Sequence, residues 1–249
     1  MSDFFQCTLR MAWNDRVASF ELRVPKRRLR LSEIVPAAAH VTDAVVEQAV
    51  ARDAEQGHTL SCRAGCGACC RQLVPVSGPE AFRLAEHIVE LPAEERERWI
   101  GRFEQAERTL AESGLLPRLQ ALMARGPVGT DLSALARDYF ALGLPCPLLV
   151  DESCALHPVR PLSCRDYNVT TPAAWCANPP EHRIRKVATP PLLSAPLART
   201  MTRLGKTEFA LIPLGLALQW VEAHAALAYA TWPGERLLRT LVRETEAGA

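Results

Sequence analysis

Eight of the nine cysteines in this chain fall into two groups, and clustered thiols are ligands for zinc or for iron–sulfur clusters. The first group places four thiols within nine residues: Cys62, Cys66, Cys69 and Cys70. The second group is dispersed, with successive steps of eight, ten and twelve residues: Cys146, Cys154, Cys164 and Cys176. Such steps suit a loop region that folds back over the first group. The sequence therefore predicts a metal centre with thiolate ligands from both groups.

The adjacent pair Cys69 and Cys70 limits how the sulfurs can be shared. Neighbouring side chains cannot easily point at one ion with good geometry, so the two serve different centres or one of them is not a ligand. Eight thiols allow two four-thiolate sites, or one such site with additional redox thiols. The sequence is compatible with both arrangements.

Four arginines lie beside or near the cysteines in sequence: Arg63, Arg71, Arg160 and Arg165. A four-thiolate centre carries net negative charge, which is costly to bury without compensation. We therefore expect some of these arginines to donate hydrogen bonds towards sulfur.

The other cysteine and the histidines are weaker ligand candidates. Cys7 alternates with apolar residues and is expected to be a small buried hydrophobe on a strand. His157 lies three residues after Cys154, while His58 and His182 are farther from a cysteine, and each more readily suits a surface or supporting role. Inert packing does not explain four thiols in nine residues, and an odd cysteine count without a secretory signal opposes a disulfide framework.

Composition narrows the function classes. A formal net charge of +1 argues against a general nucleic-acid binder, because phosphate neutralisation needs a basic excess. The longest apolar stretch, around Leu211 to Trp220, is too short to span a bilayer and contains Pro213. The start of the chain lacks an apolar signal core. We expect a cytoplasmic protein whose partner is a metal ion or cluster, with no nucleic acid and no membrane; a protein partner is not identified.

Regular elements flank both cysteine groups. Apolar residues alternate from Phe5 to Trp13 and again from Phe20 to Val24, and Asn14-Asp15 between them predicts a β-hairpin turn. The expected helices cover 41–56, 77–90, 92–113, 118–124, 132–142, 192–204, 213–229 and 234–246. Ser77 and Glu80 have the spacing of a capping box.

From Leu144 to Pro191 the helical periodicity is lost and prolines are frequent, so we expect an irregular region. The sequence thus predicts a mainly helical α+β fold, with helices around a loop-rich cysteine region and an N-terminal hairpin. We expect a single domain over 1–249, with the cysteine region at 61–176 containing a helical insertion, and C-terminal helices at 190–249.

One enzyme motif matches in part. Cys62-x3-Cys66-x2-Cys69 is the spacing with which radical S-adenosylmethionine enzymes hold a cluster. Here no repeating βα pattern follows, the chain has no Gly-Gly pair, and further cysteines are present, and all three observations oppose this interpretation. Neither a P-loop nor a G-x-G-x-x-G motif occurs. Asp166 and Tyr167 follow Cys164-Arg165 and are polar residues that would line a site, or else a solvated loop.

The cysteine pattern resembles the YkgJ-type cysteine-cluster family, described as a zinc- or iron-chelating domain. Its hallmark is a C-x3-C-x2-C-C motif, matched here by Cys62 to Cys70. A later Cys-Pro and a C-x5-R-P-x2-C-R type segment follow, matched by Cys146-Pro147 and by Cys154 to Arg165, with Cys176 as the last cysteine. The resemblance covers about half of the chain. Family members often have Ile-Tyr where this chain has Leu156-His157.

The resemblance implies an iron–sulfur or zinc protein, mostly without a defined reaction. A related flagellin lysine N-methylase carries a similar cluster, so protein lysine methylation is the enzymatic alternative. Four-thiolate sites suit both metals, and the Cys-Pro pair together with the surplus of cysteines favours an iron–sulfur cluster slightly.

Overall fold

The computed structural model describes residues 3–13, 16–127, 129–190 and 193–247. Helical residues make up 56% of the structure, and the described part of the chain contains ten α-helices and four two-stranded antiparallel sheets. The expectation of a mainly helical α+β fold with an N-terminal hairpin is therefore confirmed.

The N-terminal hairpin consists of β1 (Phe4–Trp13) and β2 (Arg16–Pro25), paired in register from Phe4↔Pro25 to Trp13↔Arg16. The alternation that predicted it also sets its inner face, where Leu9, Met11 and Leu22 are buried. The expected turn at Asn14-Asp15 lies outside the described residues.

After the hairpin come β3 (Arg28–Arg30), a 3-10 turn and α1 (Val35–Glu55). The helix begins six residues before the expected Val41, with Pro36 in its first turn, and Val41, Val45 and Ala49 form the buried face as expected.

The central helices follow the sequence prediction closely. They are α2 (Gly78–Glu90), α3 (Ala93–Glu112), α4 (Leu116–Arg125) and α5 (Leu132–Ala141), preceded by the short strand β4 (Pro75–Val76). The capping box of Ser77 and Glu80 is present at the start of α2. Helices α3 to α5 share a separate apolar cluster with Leu216, so the insertion between the two cysteine groups has a core of its own.

The segment expected to be irregular has only short elements. They are β5 (Leu149–Val150), β6 (Ser153–Cys154), α6 (Leu162–Asp166) and three 3-10 turns. Three of its apolar residues, Leu148, Leu156 and Leu162, join the main core, which also contains the inner faces of the hairpin and of α1 and α2.

The C-terminal part contains α7 (Ser194–Gly205), β7 (Ile212–Pro213), α8 (Ala217–Ala223), α9 (Ala225–Tyr229), β8 (Thr231–Pro233) and α10 (Gly234–Glu246). The prediction of one helix over 213–229 is wrong. The His224 ring stacks on Trp220 and its Nδ1 lies 2.7 Å from the Trp220 carbonyl oxygen. Because the ring takes the acceptor that a continuing helix would use, the helix breaks into α8 and α9.

Short strand pairs and the helix α10 join the N-terminal and middle parts of the described chain to its C-terminal part. β3 pairs with β8, β4 pairs with β7, and α10 packs against β1, β2 and α7. No helix of the described residues is long and apolar enough to cross a bilayer.

Candidate metal centre

The first cysteine group lies in a chain of tight turns rather than in a helix. Gly65 has a φ of +77°, which favours glycine, and it lets the backbone reverse between Cys62 and Cys66. The Cys70 N–H donates to the Gly67 carbonyl at 2.9 Å, and the Cys66 N–H donates to the Arg63 carbonyl at 3.2 Å. This segment is therefore a tightly curled loop within the loop-rich cysteine region that the sequence predicts.

Gly67 brings this loop against the second cysteine group. A Cβ at this position would lie 2.7 Å from a Glu152 oxygen and 2.7 Å from a Leu149 methyl group. Glu152 lies in the turn between β5 and β6, and Arg71 donates to its two carboxylate oxygens at 3.0 and 2.6 Å. The close approach and the bidentate ion pair clamp the first group onto the β5–β6 turn.

Backbone hydrogen bonds also join the two groups directly. The Cys146 N–H donates to the Cys70 carbonyl at 2.7 Å. At the other end, the Ser61 N–H donates to the Val169 carbonyl at 2.9 Å, and the Val169 N–H donates to the Cys62 sulfur at 3.4 Å. Thiols about 75 residues apart in sequence thus lie in one region of the molecule.

One set of sulfurs gathers near the Val169 end of this region, and we call Cys62, Cys66 and Cys176 the Cys176 set. Burial raises the pKa of the Cys62 thiol, and nearby Cys69 and Cys66 raise it further. Burial likewise raises the pKa of Cys176, with further contributions from Cys69, Cys62 and Cys66. These electrostatic effects indicate that Cys62, Cys66 and Cys176 lie in one neighbourhood, and that Cys69 lies near it.

A second set gathers near the β5–β6 turn, and we call Cys146, Cys154 and Cys164 the Cys146 set. Burial raises the pKa of Cys146 to about 11, and Cys154 and Cys69 contribute to the increase. Burial is also the largest cause of the raised pKa of Cys164, followed by Cys146, Cys69 and Cys154. Cys69 therefore neighbours both sets.

The adjacent residues Cys69 and Cys70 lie where the two sets meet. A side-chain hydrogen bond with Cys70 is the largest cause of the strongly raised pKa of Cys69, and burial adds to it. Cys69 and Cys70 are thus in contact with each other, and each set of three lacks one thiol to reach the four of a tetrahedral thiolate site.

The donor set fits zinc or an iron–sulfur cluster. Every candidate is a thiol, seven of the eight are partly buried and Cys176 is buried. Within the described residues, no group of three or more His, Cys, Asp or Glu side chains is arranged so that it could hold a metal ion. The assignment of these thiols as ligands therefore rests on their chemistry, their burial and the contacts between the two cysteine groups.

Arg160 is the cation most closely associated with the thiols. It lowers the pKa of Cys62, Cys69 and Cys154, so its guanidinium lies near both sets. Its Nε is buried and has no hydrogen-bond partner among the described residues. A buried, unpartnered donor beside thiols fits the expected role of compensating thiolate charge.

The other three arginines from the sequence pattern have different surroundings. Arg165 donates to the Asp43 carboxylate at 2.7 Å and to the carbonyls of Pro158 and Arg160. Arg71 binds Glu152, and Arg63 is exposed. The hydrogen bonds given by Arg71 and Arg165 go to oxygen, so these two hold the loops in place.

Arg102 of α3 lies beside the Cys146 loop, and the sequence analysis did not predict this role. It donates to the Pro147 carbonyl at 2.6 Å and also to the Leu149 carbonyl, and it lowers the pKa of Cys146. It lies 44 residues before Cys146. Only the packing of the helical insertion brings it to the Cys146 loop, so no local motif could have indicated it.

Of the two polar candidates, Tyr167 lies beside the Cys176 set and Asp166 does not. The Tyr167 hydroxyl hydrogen-bonds to Cys176 and accepts from Gln72 Nε2 at 3.3 Å. The Lys186 ammonium lies 4.5 Å from the centre of the Tyr167 ring. Burial raises the pKa of Asp166, which accepts a hydrogen bond from Thr189. Tyr167 thus touches the candidate ligand shell, whereas Asp166 is bound to a neighbouring loop.

The weaker ligand candidates have other surroundings. Cys7 is on β1, partly buried against the main core, as its alternation predicts. His157 and His58 are exposed, and the His182 ring stacks on Trp175.

A comparison with known protein families matches the region that contains these cysteines. A family model named CxxCxxCC and described as "Putative zinc- or iron-chelating domain" matches residues 61–183, which contain all eight clustered cysteines. No curated protein and no solved structure matches the chain. Through residues 61–183, about half of its length, this chain belongs to the CxxCxxCC family of zinc- or iron-chelating domains.

Proposed function

We propose that this chain is a metal-binding protein in which eight cysteines hold two thiolate centres. The Cys176 set supplies three ligands of one centre and the Cys146 set supplies three ligands of the other. Cys69 and Cys70 each complete one set. The observation that carries the proposal is that backbone hydrogen bonds bring the two cysteine groups together, from the Cys146 N–H to the Cys70 carbonyl at 2.7 Å and from the Val169 N–H to the Cys62 sulfur at 3.4 Å. The electrostatic effect of Cys69 on the pKa values of Cys164 and Cys176, one from each set, supports the sharing of Cys69 and Cys70 between them.

Charge and burial support the same assignment. Burial keeps most of these thiols protonated near neutral pH without a metal, and a bound metal ion replaces their protons. The resulting negative charge lies close to Arg160 and Arg102, which already lower the pKa of nearby thiols.

The bound group determines the role. Zinc would fold the loops of residues 61–76 and 144–187 around itself, whereas an iron–sulfur cluster would also carry one electron. We favour the iron–sulfur form, because Cys146 precedes a proline, as in ferredoxin-type ligation. A reducing compartment such as the cytoplasm would keep the thiols available.

The test is anaerobic purification followed by metal and sulfide analysis and a visible spectrum. We expect iron, acid-labile sulfide and visible absorbance. A colourless protein with stoichiometric zinc would overturn the iron–sulfur form. The two-centre arrangement would then be tested by the cysteine substitutions described next. Binding of S-adenosylmethionine by the same preparation would support the methylase alternative.

Single substitutions test the two-centre arrangement. Cys176→Ser and Cys154→Ser should each remove about half of the bound metal, because each breaks only one four-thiolate site. Cys7→Ser is the matched control and should retain all of it. If either set variant loses all metal while circular dichroism shows a folded chain, or if neither loses any, the two-centre assignment is wrong.

A further inference from the structure

A cleft between α7 and α10 lies outside the cysteine region. It has a volume of about 410 Å³. Four arginines line it, together with Glu235 and Thr240: Arg203, Arg236, Arg239 and Arg243. The volume falls in the range of small-molecule sites.

The helix geometry explains why these arginines meet. Arg236, Arg239 and Arg243 follow one another at steps of three and four along α10, so they share one face of that helix. Helix α7 packs against α10 and places Arg203 on the facing side of the cleft. Four arginine side chains thus line one cleft.

The charge of the cleft is only partly neutralised. Arg239 pairs with Glu235 at 3.0 Å, and Arg203 pairs with Glu244. Arg236 and Arg243 form no ion pair with any residue in the described part of the chain. A chain with a formal net charge of only +1 therefore concentrates positive charge at this cleft.

Like charges held close together on a folded surface repel each other, and a polyanion relieves that repulsion. Arginine also presents a planar fork of donors that matches a phosphate group. Pro233 and Glu235, at the first turn of α10, also line the cleft, and the dipole of that helix adds positive potential there, while the Gly234 N–H donates to the Arg27 carbonyl at 2.9 Å.

We propose that the α7–α10 cleft binds a small phosphorylated molecule carrying at least two negative charges. Arg236 and Arg243, which have no ion-pair partner, hold the phosphate groups. Arg203 and Arg239 shape the cleft through their carboxylate partners. The concave form and the limited volume favour a small ligand over a nucleic acid or a membrane surface, which would need an extended basic area.

The experiment titrates the full-length, metal-loaded protein with inorganic pyrophosphate in a calorimeter at low salt. We expect binding at one site per chain, and an affinity that falls as the salt concentration rises. The Arg236→Ala/Arg243→Ala variant should bind at least about tenfold more weakly. The Arg236→Lys/Arg243→Lys variant keeps the charge without the fork and should show an intermediate affinity.

Arg137→Ala is the matched control, because Arg137 is an exposed arginine of α5 outside the cleft. It should bind pyrophosphate as the parent protein does. Three results would overturn the proposal: no binding by the parent protein, an equal loss in the Arg137 control, or binding to anionic lipid vesicles or DNA without binding to pyrophosphate. All four arginines of the cleft are exposed, so these variants are expected to fold.

Discussion

At the scale of single residues, spatial position separates the arginines that sequence position groups together. Arg63 is adjacent to Cys62 in the chain but is exposed, whereas Arg160 influences thiols of both sets. A spacing pattern identifies thiol ligands well, because metal geometry restricts the local backbone. It cannot select their cationic neighbours, since these contacts depend on how distant loops pack. Arg102, which lies on a helix of the insertion, illustrates the same limit.

The Arg160→Gln variant should hold its metal more weakly, by about tenfold in affinity, because it removes the cation that both thiol sets share. Competition with a coloured chelator would measure the change. Arg63→Gln is the matched control and should equal the parent protein. An equal loss in both variants would mean that overall charge, rather than the position of Arg160, stabilises the centres.

At the scale of elements, Glu80 joins three helix starts. Its carboxylate accepts from the Ser77 N–H at 2.9 Å, from the Leu162 N–H at 2.8 Å and from the Ser194 hydroxyl at 2.5 Å. These groups belong to the starts of α2, α6 and α7, where backbone N–H groups lack helical partners. Because α6 carries Cys164, this buried carboxylate fixes a candidate ligand to the main core.

Glu80→Ala should reduce the free energy of unfolding by about 2–4 kcal/mol, because it leaves several buried donors without an acceptor. Denaturant unfolding of the metal-loaded protein would measure the loss. Glu112→Ala, at the exposed end of α3, is the control and should change stability by less than about 0.5 kcal/mol. If the two variants are equally stable, Glu80 serves only as a local cap.

The elements also show which parts of the fold the sequence could predict. α10 has the predicted bounds, Gly234–Glu246, since Pro233 and a strong apolar periodicity mark its start and its face. The capping box located α2 for the same kind of local reason. β3 and β8 were missed, because three-residue strands are too short to show alternation and their partners lie about 200 residues apart. The break at His224 depends on a stacked ring that no periodicity reveals.

At the scale of the whole molecule, the cysteine region shares the main core with the terminal elements. Leu148, Leu156 and Leu162 belong to the same cluster as residues of the hairpin and of α10. We propose on this basis that the chain is a single domain, as the sequence suggested, with α3 to α5 as a helical insertion that contacts the core through α3.

A single domain should unfold in one transition. Far-ultraviolet circular dichroism, tryptophan fluorescence and the signal of the bound metal should therefore change at the same denaturant concentration. Loss of the metal signal well before the loss of helix would contradict the proposal and indicate that the cysteine region unfolds independently.

The packing of α10 on the N-terminal hairpin has a consequence for synthesis on the ribosome. Leu9, Met11 and Leu22 form an apolar face that α10 helps to cover, and α10 is made more than 200 residues later. During translation α1, which also packs against β2, is made soon after the hairpin, whereas the cover from α10 arrives last. Part of the apolar hairpin face is therefore completed only when the last long helix is released.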